Sequence, residues 1–86
     1  MSLMSNNIIP GNHGRIFGTN ATTDTDLNEI KISIGNLNGI TDVVINNHVF
    51  PREITVYSNK IIDIHLIENK VKSVGFHVTP KESLDI

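Results

Sequence analysis

The sequence contains no cysteine. Disulfides, zinc–cysteine knots and thiol catalysis are thereby excluded, and the chain suits a reducing, cytoplasmic setting. Aromatic residues are almost as scarce: Phe17, Phe50, Tyr57 and Phe76 are the full set. They are not interleaved with lysine or arginine, so no base-stacking platform is expected. Nor is there a basic excess, since 7 Lys and Arg against 9 Asp and Glu leave a net charge of −2. Nucleic acid is therefore not an expected partner. Long apolar runs are also missing. Nothing approaches the ~20 residues of a membrane span, and the start lacks the basic-plus-apolar pattern of a secretory signal. A membrane is not an expected partner either.

What is present is a folding composition. Hydrophobic residues make up 38% and charged residues 19%, too apolar a balance for disorder. A chain of 86 residues has room for one core. A domain of this size buries about 60–65% of the surface its unfolded chain exposes, so modest stability is expected.

Met1-Ser2-Leu3 ahead of Met4 reads as vector-derived residues before a native start. Residues 1–13 as a whole are expected to be these leader residues and a mobile arm, or at most an added edge segment. The folded domain is expected over residues 14–79, with 80–86 as a frayed tail.

Within the domain, Arg15–Thr19 reads as a short strand. A polar stretch follows, in which Asp26 and Glu29 form a candidate capping box for a helix. Leu27, Ile30, Ile34 and Leu37 make one apolar helical stripe, although Gly35 within it costs roughly 1 kcal/mol relative to alanine. Asn38-Gly39 suits a left-handed cap. Thr41–Ile45 is a β-branched strand, Asn46-Asn47-His48 a turn, and Glu53–Tyr57 an alternating strand. Ser58-Asn59 offers caps for a second helix, with its stripe at Ile64, Ile67, Val71 and Val74. Gly75 ends it, and Phe76–Thr79 is a final short strand.

The two stripes coincide at a constant offset of 37 residues: 27/64, 30/67, 34/71 and 37/74. Each half therefore reads strand–helix–strand with the same internal spacing. Two such halves joined by a hairpin give an α+β fold, the ferredoxin-like βαββαβ open-faced sandwich. Two helices then cover one face of a four-stranded antiparallel sheet.

From Ala21 to Ile40 the residues resemble the heavy-metal-associated domain family, the copper chaperones and the soluble domains of metal-transporting ATPases. That family carries Met-x-Cys-x-x-Cys at its first strand–helix junction and closes the helix with Gly-Val. With Gly39-Ile40 at the Gly-Val position, Ile30, Ile34 and Leu37 fall on the family's core positions without a gap. Ala21 then stands at the methionine, and Thr23 and Asp26 at the two cysteines. Phe17-Gly18-Thr19-Asn20 is similar to a Phe-x-Thr-Asn entry found in some members, and Val74-Gly75-Phe76 to the Leu-Gly-Tyr or Leu-Gly-Phe before the last strand. The resemblance covers residues 14–79 and implies the βαββαβ fold. It does not bring copper transfer with it. Cu(I) requires thiolates, whereas a threonine hydroxyl is a poor ligand for it and a carboxylate is a hard oxygen donor.

A non-thiol site is the remaining metal reading. The topology puts Asp24, Asp26, His48 and His77 towards one end of the sheet, a mixed donor set suited to Zn(II), Ni(II) or Cu(II). The plainer reading makes Asp24 and Asp26 helix-capping residues and both histidines ordinary surface groups, so no metal or cofactor is expected. His13 and His65 fall towards the other end. No nucleophile–base–orienter set is recognisable, and a small open-faced sandwich has little concave volume, so enzymatic activity is not expected. Two functions are carried forward. The preferred one is a protein-interaction or scaffold module, whose apolar edge strand at Val43, Val44 and Ile45 pairs with a protein partner or a second copy. The alternative is a metal-handling protein with an Asp/His site.

Overall fold

The computed structural model describes residues 7–10 and 14–81. In chain order its elements are β1 (Asn7–Ile8), β2 (Arg15–Thr19), α1 (Asp24–Gly35), β3 (Ile40–Asn46), β4 (Glu53–Ser58), β5 (Ile62–Asp63), α2 (Ile64–Lys72) and β6 (Val78–Pro80). The fold is α+β, with two helices and two antiparallel sheets among the described residues. Four strands run in the order β3-β4-β2-β6, and β1 pairs separately with β5.

Alternation along the strands explains why the larger sheet has one dry face. Phe17 lies opposite Ile54, Val43 opposite Val56, and Thr19 opposite Val78, and all six are buried. Successive residues point to opposite faces, so Thr55 and the residues that flank it on the two neighbouring strands, Ile16 and Val44, turn outward. Ile16 is 40% exposed and Val44 44%. Leu27, Ile30 and Ile34 of α1 and Ile64, Ile67 and Val71 of α2 join the buried face in one cluster. Leu37 and Val74, the last members of each stripe, pack on its margin from beyond the helix ends.

The second sheet departs from the expected single sheet. Asn7 pairs with Asp63 and Ile8 with Ile62, and Ile8 is fully buried in the shared core. The folded part therefore begins before residue 14, and Asn7–Ile8 is the added edge segment rather than a mobile arm. The reason is burial: Ile8 can leave water only by reaching a segment more than fifty residues along the chain. Residues 1–6 and His13 lie outside the described residues.

The same pairing moves the second helix start. With Ile62-Asp63 drawn into β5, the N-cap is Asp63 rather than Ser58-Asn59, and its carboxylate accepts from the His65 N–H at 2.9 Å. Ser58 instead closes β4, its hydroxyl donating to the Lys60 carbonyl at 2.7 Å. At the other end of α2, Gly75 takes φ +95°. Phe76 N–H then reaches the Val71 carbonyl at 3.2 Å and Gly75 N–H the Lys72 carbonyl at 3.0 Å, a Schellman closure. The last strand is Val78–Pro80 rather than Phe76–Thr79. Pro80 is tolerated because β6 is an edge. Lys81 also belongs to the sheet, its N–H bonded to the Ile16 carbonyl at 2.9 Å and its ammonium paired with Glu53. The expected tail at 80–86 thus starts later, and residues 82–86 lie outside the described residues.

Candidate functional site

The loop between β2 and α1 is held from below by a short polar network. Thr19, though 95% removed from solvent, donates its hydroxyl to the His77 carbonyl at 2.9 Å and accepts from the Ala21 N–H at 3.2 Å. Asn20 adds a second tie: its side-chain oxygen accepts from the His77 N–H at 2.9 Å. Ala21, at the position of the resembled methionine, is buried against the core. The chain then turns out into solvent at Thr22 and Thr23.

Thr23 is the N-cap of α1. Its backbone is extended at φ −93°, ψ 154°, and its hydroxyl accepts from the Asp26 N–H at 3.1 Å. This corrects the expected capping box at Asp26 and Glu29. Asp26 already sits inside the first turn with its N–H occupied, so it cannot be the residue that closes the turn. Asp24 and Asp26 both lie in that first turn, where negative charge is stabilised by the positive end of the helix dipole.

Asp24 makes one further contact. Asn47, on the loop between β3 and β4, donates its side-chain N–H to the Asp24 carboxylate at 3.3 Å. Helix start, hairpin and the approach to β6 therefore do converge at one end of the sheet. His77 is attached there through its backbone, and His48 N–H caps back onto the Asn46 side chain at 3.1 Å. The four candidate ligands Asp24, Asp26, His48 and His77 are not brought together as a cluster. Among the described residues, no three His, Asp or Glu side chains are grouped so as to hold a metal ion. At the far end His65 Nδ1 lies 2.8 Å from the Asp63 carboxylate, a pair rather than a three-donor set.

No protein-family model matches this sequence, and no curated protein matches it.

Concave volume is small. Two depressions among the described residues measure about 200 and 190 Å³ and are open to solvent, below the ~300 Å³ at which ligand pockets begin. One is lined by Glu68, Lys72, His77 and Val78. No described helix is long and apolar enough to cross a membrane.

The prominent surface is apolar. β3 is an edge strand, with Val43 buried, Ile45 half-buried and Val44 exposed. The loop that follows presents Phe50, 79% exposed, with the Arg52 guanidinium 5.8 Å from its ring centre. Phe50 had no signal in the periodicity, because it belongs to neither a helix nor a strand. Ile16, separated from Val44 by Thr55 on the outer sheet face, was hidden in a strand whose inward side carries Phe17.

Proposed function

We propose that this chain is a ferredoxin-like domain of the heavy-metal-associated type that has lost Cu(I) binding and serves, without catalysis, as a protein-interaction scaffold. The strand order β3-β4-β2-β6, with α1 between β2 and β3 and α2 between β4 and β6, supports the ferredoxin-like reading, to which β1 and β5 are an addition. The cap bond between Thr23 and Asp26 supports the loss of metal transfer: the two positions that resemble thiol ligands hold the helix start together instead. The observation that carries the interaction reading is the seven-residue edge strand β3 with Val44 exposed on it. Such an edge is a template for strand addition. A cysteine-free chain of this kind suits the cytoplasm.

The alternative, metal handling through Asp24 or Asp26 with a histidine, draws on the convergence of Asp24, Asn47 and the His77 backbone at one end. A chelator-competition titration separates the two. The scaffold reading expects no binding of Cu(I), Zn(II), Ni(II) or Cu(II) by the parent, and Cu(I) binding by Thr23→Cys/Asp26→Cys, in which both thiols sit at a helix N-terminus. Binding of any of these ions by the parent, lost in Asp26→Ala, would establish the metal-handling reading instead.

A further inference from the structure

The hydrogen-bond phase of the four-stranded sheet decides which groups β3 offers to a partner. Thr19 N–H donates to the Arg52 carbonyl at 3.0 Å, extending an antiparallel register in which Phe17 faces Ile54 and Arg15 faces Val56. Backbone groups of successive residues point to opposite sides of a strand. Arg52, Ile54 and Val56 therefore bond towards β2, and Glu53, Thr55 and Tyr57 towards β3. Their partners on β3 are Asn46, Val44 and Asp42. It follows that the N–H and C=O groups of Val43 and Ile45 point out of the sheet at its free edge.

That edge is blunted by its own side chains. The Val43 N–H is held by the Asp42 carboxylate at 2.8 Å, and a bulge between Ile40 and Asp42 interrupts the ladder. At the other end of β3, the Asn46 side-chain oxygen accepts from the His48 N–H, which leaves its amide NH₂ as a donor.

Set against itself, antiparallel and centred on Val44, the strand is self-complementary. Val44 then faces Val44 of the second copy, Val43 faces Ile45, and Asp42 faces Asn46. A centre one residue earlier would set Asp42 against Val44 and Thr41 against Ile45, polar against apolar. We infer that β3 pairs with β3 of a second copy of this chain about a two-fold axis at Val44, and that each Asp42 exchanges the Val43 N–H for the Asn46 amide of the other copy. The freed Val43 N–H bonds the Ile45 carbonyl across the axis. No polar group is left unpaired by the exchange, which matters because a buried orphan donor is costly. The assembly closes at two copies, since the opposite edge, β6, has only three residues and includes Pro80.

This inference rests on the interaction-module reading and names its partner. Because the parent has no cysteine, Val44→Cys introduces a single thiol per chain. In the inferred register the two meet in a non-hydrogen-bonded pair with Cα atoms about 4.5 Å apart, within disulfide reach. Leu66→Cys, on α2 and 52% exposed, is the control. Under mild oxidation, Val44→Cys should form covalent dimer about ten-fold faster than Leu66→Cys; equal rates overturn the inference. Sedimentation velocity supplies a second readout. Asn46→Asp sets like charges face to face twice and should weaken dimerisation about ten-fold, while Asp42→Asn/Asn46→Asp restores the complement and the dimer. Asn46→Asp associating as tightly as the parent, or a double variant that stays monomeric with parental circular dichroism, overturns the register. Neither readout involves metal. Failure here leaves the Cu(I) titration to decide the scaffold reading on its own.

Discussion

Thr23 and Asp26 are joined by a hydrogen bond, the Thr23 hydroxyl accepting from the Asp26 N–H at 3.1 Å across the first turn of α1. One of the four N–H groups that every helix start leaves without an internal partner is satisfied in this way. Thr23→Ala should therefore lower unfolding stability by about 1 kcal/mol, and Thr23→Ser should retain nearly all of it. Urea denaturation of the three proteins checks this, and equal midpoints for Thr23→Ala and the parent would show that the cap contributes nothing.

Ile8 makes a larger contribution from a less conspicuous place. It is fully buried with Phe17, Leu27 and Ile67 in the common core. Ile8→Ala should cost about 2–4 kcal/mol through lost burial and the cavity left behind. A denaturation midpoint unchanged by this substitution would mean that β1 is dispensable, and the domain would then begin at β2.

Acid should weaken the start of α2. The Asp63 carboxyl is held below its ordinary value of 3.8, first by the His65 backbone N–H and then by the His65 ring. A carboxylate whose folded pKa is depressed adds stability above its unfolded pKa, and loses that contribution as pH falls through the folded value. The stability difference between the parent and Asp63→Asn should accordingly be constant near neutrality and shrink as pH drops below about 4. Urea midpoints measured from pH 6 downwards read it directly; a difference that persists unchanged in strong acid would remove Asp63 as its source.

Two glycines should respond with opposite signs. A Cβ at Gly35, the last residue of α1, meets nothing within 4 Å, so Gly35→Ala should stabilise by up to about 1 kcal/mol. Gly39 has φ +97°, and a Cβ there would fall 2.6 Å from the Lys60 side chain. Gly39→Ala should destabilise by about 1–2 kcal/mol through the left-handed backbone alone. Thermal unfolding of both variants tests the contrast.

The elements that were legible beforehand are those whose signal repeats locally. Leu27, Ile30 and Ile34, and again Ile64, Ile67 and Val71, recur at the helical period, and all six are buried. Arg15–Thr19 appeared with the right bounds, and the strands at β3 and β4 within one residue at each end. The elements with no periodic signal are too short to repeat. β1 and β5 have two residues each, and two residues carry no period. Asp26 and Glu29 have the spacing of a capping box, but spacing does not say where the backbone turns helical, and the extended conformation of Thr23 puts the cap there.

The candidate site divides along the same line. That Thr23 and Asp26 are not thiols, and that no cysteine exists to replace them, follows from composition alone. That Asp24 meets Asn47 rather than a histidine depends on how a hairpin folds back over a helix start. Likewise the apolar character of Val43-Val44-Ile45 is written in the chain, but which of their N–H groups face outward is set by the ladder running from Thr19 through Arg52 and across β4. Periodicity and residue chemistry are local properties and survive in a one-dimensional text. Register, hydrogen-bond phase and the burial of Ile8 are relations between segments distant in sequence, and they come into existence only when those segments pack.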